Sequence, residues 1–448
     1  MKLCWEHQLY DLIIYIYNKG LHDYITPLQS LLTLLRGALD LESEKLNDHF
    51  LMLGQKILVY LSCCFAGHQY PLGKINEELV DKVKSSVFKF LFTKNSSSAA
   101  GAYPNITTLI KFDITELLNV LSLAFVEKEF EPIMQGGVRC TSKRQQVVDT
   151  LLEIMLNYQT FAPTQLGSLF TFIARQMAKY GSDSIHVNET LFEELLEYLT
   201  NPDEEKRHEE RQQALLELHS AGTLDYFDDS KLLKLAEEGK FYRMCEILYR
   251  KNREYYKVFS CYWREPSRAS QVFVYIDEII VEEECTEMDR EQILAALLEA
   301  MDRLVEINSV KFAHLIMNHF PAAFNNVAVK LQSKPEIQYA FLKGVFQMKA
   351  QKYKSSDVSL DINPVLHEKF IDLMCTYEPE SVHSYLQSNE TYRVSEVLAI
   401  VQERRLVQAS AYLFEKTGDV GSAFNLLHGD LEEKVREVNE VMILLNSK

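Results

Sequence analysis

Apolar residues along the chain recur at three- and four-residue intervals, and Gly, Pro, Asn or Asp interrupts them roughly every 15–25 positions, a pattern that predicts successive helices, not strands. Leu9, Leu12, Ile13 and Ile16 form one face of a helix over Gln8–Asn18, and Tyr10, Ile14 and Tyr17 crowd the other. A helix apolar nearly all round is expected to lie between others, with Gly20 ending it. Thr26-Pro27 then caps and opens a helix carrying Leu28, Leu31, Leu32 and Leu35. Further helices are expected near Leu46–Cys64, Ile75–Phe92, Asp113–Phe130, Arg144–Tyr158, Thr164–Lys179 and Glu189–Leu199. Thr93–Thr108 and the Gly136-Gly137 stretch read as loops.

The mixed-charge run Asn201–Arg211 opens a helix that continues through Leu215 and Leu218. It marks the expected boundary between an N-terminal arm, residues 1–200, and a C-terminal arm, residues 201–448. Beyond it, Phe241, Cys245 and Leu248, then Val258, Phe259 and Tyr262, predict the inward faces of a helix pair. Thr286 and Asp289 have the spacing of a capping box. Asn308-Ser309 starts a helix, Phe320-Pro321 breaks it, and Pro335, Pro364 and Pro379 each open another. Gln351–Asn363 reads as a polar loop.

The pattern is most regular from Tyr392 to Leu427, YRVSEVLAIVQERRLVQASAYLFEKTGDVGSAFNLL. Val394, Val397, Leu398 and Val401 predict one helix, and Ala409, Leu413 and Phe414 a second folded back by a tight Arg404-Arg405 turn. Gly418 suits the left-handed residue past a helix end, and Asp419 can cap the next first turn. Ala411 and Ala423 are small where two backbones approach. Such a unit cannot bury both faces alone, so the expected fold is an all-α, right-handed solenoid of helical hairpins with no sheet.

Composition agrees. Only 16 Gly and 11 Pro punctuate 448 residues, too few for an all-β chain with frequent turns. With 47% hydrophobic and 25% charged residues, a large core is expected. Acidic residues outnumber basic ones 64 to 47, giving a net charge of −17 and no sustained basic stripe, which argues against nucleic acid as a partner. The cysteines, at 4, 63, 64, 140, 245, 261, 285 and 375, form no CxxC pair and read as free thiols of a reducing compartment.

Candidate chemistry is sparse. Cys63-Cys64 with His68 lacks a fourth metal ligand, and His208-Glu209 lacks the second His of HExxH. His314 and His319 fall on different helix faces, and no GxGxxG or GxxxxGK[ST] phosphate cradle occurs. No catalytic residue, cofactor or metal is therefore expected. Tyr242, Tyr249, Tyr255, Tyr256 and Trp263 are candidates for a peptide-binding surface, because Tyr and Trp are frequent anchors, although bulky side chains also interlock helices.

The stretch Tyr392–Leu427, preceded by Leu366–Leu386, resembles a clathrin heavy-chain repeat. ERR at the turn, EKTGD before Ala423-Phe424, and the opening Trp5–Leu32 are similar to the propeller-plus-solenoid subunits of endosomal tethering complexes of the CORVET type. That resemblance implies a non-catalytic scaffold in vesicle tethering and fusion, cytoplasmic and peripheral on early or late endosomes. It also implies partners among the class C tether core and other CORVET subunits, with Rab GTPase contact only indirect or through regions outside this sequence. Family members carry a β-propeller and a RING zinc finger on either side of the solenoid. Neither pattern occurs between Trp5 and Lys448, so the chain is expected to match the central part. The sister HOPS tether, a clathrin-like coat, a hydrolase in a helical fold and a helical-repeat RNA binder remain as alternatives.

Overall fold

A computed structural model describes residues 2–40, 47–95, 102–131, 134–135, 138–139, 142–157, 161–181, 184–201, 207–282, 285–352 and 363–446. Residues 96–101, 136–137 and 353–362 of the expected loops, and 202–206 of the charged run, lie outside them. The chain divides into two compact units, Met1–Leu248 and Tyr249–Lys448.

Unit 1 holds α1 (Lys2–Glu6), α2 (Tyr10–Tyr15), α3 (Thr26–Leu39), α4 (Asp48–Phe65), α5 (Glu77–Leu91), α6 (Pro104–Ala124), α7 (Lys143–Asn157), α8 (Pro163–Tyr180), α9 (Glu189–Thr200), α10 (His208–Ser220) and α11 (Asp229–Glu238). Every second helix stacks, α6 on α4, α8 on α6 and α10 on α8. Leu53, Ile57 and Leu61 of α4, Leu109 and Leu121 of α6, Leu169 and Ile173 of α8, and Leu215 and Leu218 of α10 are fully buried between them. A two-residue antiparallel ladder, β1 (Met134–Gln135) with β2 (Val138–Arg139), is too short to form a layer. Because α10 packs on α8 and α9, the charged run that precedes it lies within unit 1, and the division by packing comes later, after Leu248.

α12 (Tyr242–Lys251) leads into unit 2, which holds α13 (Tyr255–Arg264), α14 (Val272–Val281), α15 (Glu287–His319), α16 (Phe324–Lys330), α17 (Pro335–Lys352), α18 (Pro364–Tyr377), α19 (Pro379–Ser388), α20 (Val394–Glu403), α21 (Val407–Thr417) and α22 (Val420–Asn446). Here too the stacking skips one helix: α15 on α13, α17 on α15, α20 on α18 and α21 on α19. Each unit is thus an all-α stack of helical hairpins, as the period predicts.

Several expectations need local correction. α2 buries Tyr10, Ile13 and Ile14 but leaves Leu9, Leu12 and Tyr15 exposed, so it is covered on one side only. Gly20 does not end it, because a π-helical turn, Ile16–Leu21, carries the chain to a left-handed His22. The cap of α3 is Asp23, whose carboxylate accepts from the backbone N–H of Ile25 and Thr26 and from Thr26 Oγ1. α6 begins at Pro104, inside the expected loop. Its first half looks polar, but Thr107 and Thr108 are buried, and Thr108 Oγ1 donates to the Pro104 carbonyl at 2.7 Å while accepting from Arg36 Nε at 3.0 Å.

The expected start at Asp113 survives as a break. Its backbone is extended (φ −157°, ψ 98°) and its side chain accepts from Glu116 N at 3.1 Å, an N-cap that starts a second helical segment across a kink. Asn308 repeats the device in α15 (φ −162°, ψ 100°), accepting from Lys311 N at 2.8 Å. The Thr286–Asp289 capping box forms as its spacing predicts, and Asn363 caps α18.

Candidate functional site

The hairpin signature assembles at the turn between α21 and α22. Gly418 is left-handed (φ 86°), and the N–H of Asp419 reaches back to the Phe414 carbonyl at 2.9 Å, closing a Schellman-type end. Asp419 then accepts from Ser422 N at 3.1 Å and Ser422 Oγ at 2.7 Å, and these bonds hold its carboxyl below the usual range. Ala411 and Ala423 are buried on the two packed helices. Above them lies a groove of about 470 Å³ bounded by His383, Tyr412, Val420, Phe424 and Leu427.

Arg404, part of the resemblance motif, donates to Asp372 of α18 at 2.8 Å. Arg393, at the other end of α20, grips Glu368 of α18 with two bonds of 2.5 and 2.7 Å. The two carboxylates are one helical turn apart, so α20 is tethered to α18 at both its ends. The sequence pattern shows the arginines but not these partners, which lie more than twenty residues upstream.

The aromatic candidates are distributed over different environments. Tyr249 is buried in α12, with Lys257 Nζ 5.1 Å from its ring centroid, and Tyr242 is half-buried. Tyr255 donates its hydroxyl to Asp289 Oδ1 at 2.9 Å, and burial together with that carboxylate pushes its pKa up to about 12. Tyr256 and Trp263 do meet, edge to face with centroids 5.9 Å apart, and Tyr256 is exposed. Trp263 also borders a shallow recess with Pro266, Arg303 and Ile307.

Among the described residues, no group of three or more His, Cys, Asp or Glu side chains is placed to hold a metal ion. Cys64 is fully buried beside Tyr60, and burial raises its thiol pKa. Glu209 pairs with Arg243 at 2.6 Å, and His319 faces Asp277 at 3.0 Å. The largest depression of a carboxyl is at Asp289, held at about 2 by hydrogen bonds from the Thr286 side chain and backbone, with Tyr255 and Arg253 adding to them. That carboxylate caps a helix. No helix among the described residues is long and apolar enough to cross a membrane.

A groove of about 640 Å³ in unit 1 runs across one face of α6, α8 and α10 and carries Arg175, Gln176, Lys179 and Arg207. Sequence reasoning passed over these residues. Their only signal is the spacing of Arg175, Gln176 and Lys179 on one helix face, which any amphipathic helix shares.

Residues 1–125 match the family model described as Vps8 central TPR. The chain is 37% identical over 439 residues, 97% of its length, to the mouse vacuolar protein sorting-associated protein 8 homolog, and 38% to the human one. The chain belongs to the Vps8 family. The Drosophila melanogaster Vps8 homolog is 30% identical over 99% of the chain. Against these Vps8 homologs the chain spans about a third of their length, 30% in mouse and human and 34% in the fly. Residues 182–442 match a model described as the Vps41 TPR-like region, and the mouse vacuolar protein sorting-associated protein 41 homolog is 22% identical over 32% of the chain. No solved structure matches.

Proposed function

We propose that this chain is a non-catalytic scaffold region of an endosomal membrane-tethering complex of the CORVET type, acting in vesicle tethering and fusion and in protein transport to endosome and lysosome or vacuole. The observation that supports it most is relatedness to Vps8 homologs over 97% of the chain. The hairpin stacks fit that reading. Units whose helices touch only near neighbours can bend while presenting long edges to other subunits.

In this reading the class C core subunits and other CORVET subunits dock on helix edges, burying more than ~1,000 Å². Rab GTPases are engaged only indirectly. The chain works in the cytoplasm and reaches early and late endosome membranes through the complex. The edge carrying Tyr256 and Trp263 is a proposed contact, and Ala411, Gly418, Asp419 and Ala423 serve the hairpin itself. The strongest carboxyl shift, at Asp289, belongs to a helix cap, which supports a scaffold over an enzyme.

Affinity purification of the tagged chain from cytosol, followed by mass spectrometry, tests this. Recovery of class C subunits with CORVET-specific partners is expected, and a soluble, helical chain that recovers none overturns the reading. A second reading, service in a sister tether such as HOPS, is favoured by the Vps41-type match over residues 182–442 and predicts a different partner list.

A further inference from the structure

We infer that Tyr226, at the tip of the turn between α10 and α11, is a phosphorylation site, the acceptor of a phosphoryl group from a protein tyrosine kinase. Its side chain is 100% exposed. Among the described residues every other tyrosine keeps more than half of its surface covered; Tyr15, Tyr256 and Tyr377 come next, at 45%, 39% and 38% exposure. The Tyr226 hydroxyl has no hydrogen-bond partner among the described residues. A ring wholly in water adds nothing to the core, so packing gives no account of its place.

The tip that carries it is anchored on both sides. α10 ends at a left-handed Gly222 (φ 73°), and the Thr223 N–H reaches back to the Leu218 carbonyl at 3.1 Å. Leu224 is buried, and Phe227 meets Phe192 of α9 edge to face, with centroids 6.5 Å apart. Asp228 accepts from Ser230 N at 3.1 Å and caps α11. Tyr226 therefore projects because its neighbours are fixed. Two turn bonds hold the tip itself, Asp225 N to the Gly222 carbonyl at 3.3 Å and Phe227 N to the Leu224 carbonyl at 2.9 Å. An enzyme can open them and draw the tip into a cleft without unfolding either helix.

Charge and size narrow the enzyme. Asp225 precedes the tyrosine, Asp228 and Asp229 follow it at the second and third positions, and no Lys or Arg occurs from Ser220 to Ser230. A catalytic cleft lined by Lys or Arg is complementary to such a segment. One ring with its flanking acids is too small for a standing protein interface, which takes about 800 Å² from each partner. It is enough for an enzyme that grips a single side chain.

In the reaction the Tyr226 oxygen attacks the γ-phosphorus of a nucleoside triphosphate held by the kinase. An O–P bond forms, the bond from that phosphorus to the β–γ bridging oxygen breaks, and the nucleoside diphosphate leaves. The phenolic proton passes to the kinase's base and then to solvent. The product carries about −2 charges. No cation of the turn is there to receive it, and Lys231, the first one after the turn, pairs with Glu193 at 3.9 Å. The phosphate therefore stays outward, where an arginine-lined reader domain of another protein can grip it. The inference stands apart from the tether assignment, since it concerns unit 1 alone.

The test is incubation of the folded full chain with Mg·ATP and a purified, acid-preferring tyrosine kinase catalytic domain, with the sites mapped by mass spectrometry. Tyr226 should take up phosphate first, and Tyr226→Phe should remove most of the incorporation. Asp225→Lys, at an exposed position that leaves Leu224, Phe227 and the α11 cap in place, should slow it roughly tenfold. A pan-phosphotyrosine antibody should capture the native product, whose thermal midpoint should stay within about 2 °C of the unmodified chain's. No incorporation at Tyr226, phosphate on Tyr15, Tyr256 or Tyr377 ahead of it, or modification only after heat denaturation overturns the proposal. So does a rate indifferent to Asp225→Lys, a larger shift of the midpoint, or a native product that the antibody does not hold.

Discussion

The backbone of Gly344 in α17 lies so close to Ser309 in α15 that a β-carbon at position 344 would stand 2.8 Å from the Ser309 carbonyl oxygen. The contact falls one residue after the break at Asn308, where α15 changes direction. The break and the glycine belong together, because the redirected segment brings backbone against backbone and no side chain fits between.

Gly344→Ala should therefore cost about 1–3 kcal/mol of unfolding free energy, since rigid main chain must move. Gly37, inside α3 with nothing near its would-be β-carbon, is the control. Gly37→Ala should stabilise by about 0.5–1 kcal/mol through helix propensity. Urea denaturation of the three proteins measures both signs.

Asp289 couples a helix cap to Arg253, whose guanidinium donates to both carboxylate oxygens at 2.8 Å. Folding lowers its pKa to about 2, so the carboxylate stabilises the fold above its unfolded value, near 3.9, and loses that contribution as pH falls towards 2. Asp289→Asn should lower the thermal midpoint at pH 7. The gap to the unaltered protein should close in melts taken towards pH 2, and a pH-independent gap would show that charge plays no part.

Gly418 adopts φ 86° with open space around it, so its requirement is conformational and not steric. Gly418→Ala should cost about 1 kcal/mol, and Gly418→Asn less, because Asn tolerates the left-handed region. Equal losses for the two variants in chemical denaturation would contradict this account.

Burial raises the thiol pKa of Cys64, and burial with the Asp372 carboxylate pushes Cys375 up to about 11. At pH 8 both hold little thiolate, on the order of a hundredfold less than an ordinary thiol in the case of Cys375. Iodoacetamide labelling read by mass spectrometry should mark Cys285 before Cys64 and Cys375, which react only when the protein is unfolded. Early labelling of Cys64 would contradict its burial.

Along α22, Val420, Phe424, Leu427, Leu431, Val435 and Val438 are all about half exposed or more, a stripe at helical spacing. Exposed apolar stripes of this kind promote association. Leu431→Glu with Val438→Glu should reduce concentration-dependent light scattering while leaving the thermal midpoint unchanged.

Which parts of the molecule were legible in advance follows from the range of the forces involved. Caps, prolines and left-handed glycines act within four residues, so Thr286, Asn363, Gly418 and Asp419 could be read directly from spacing, and so could the helices they delimit. The all-α hairpin fold follows from that local grammar. Asp23 caps in place of Thr26 because the helix already begins at Thr26, whose own N–H and hydroxyl donate to the Asp23 carboxylate, and only the backbone path through residues 23–26 shows this. The buried start of α6 was hidden because Thr107 and Thr108 look polar until Arg36, far back in the chain, supplies a partner. The division after Leu248, the approach of Gly344 to Ser309 and the pairing of Arg404 with Asp372 were decided by tertiary structure alone. Each depends on which faces meet between residues distant in the chain, and helical periodicity states that a face is buried without stating against what.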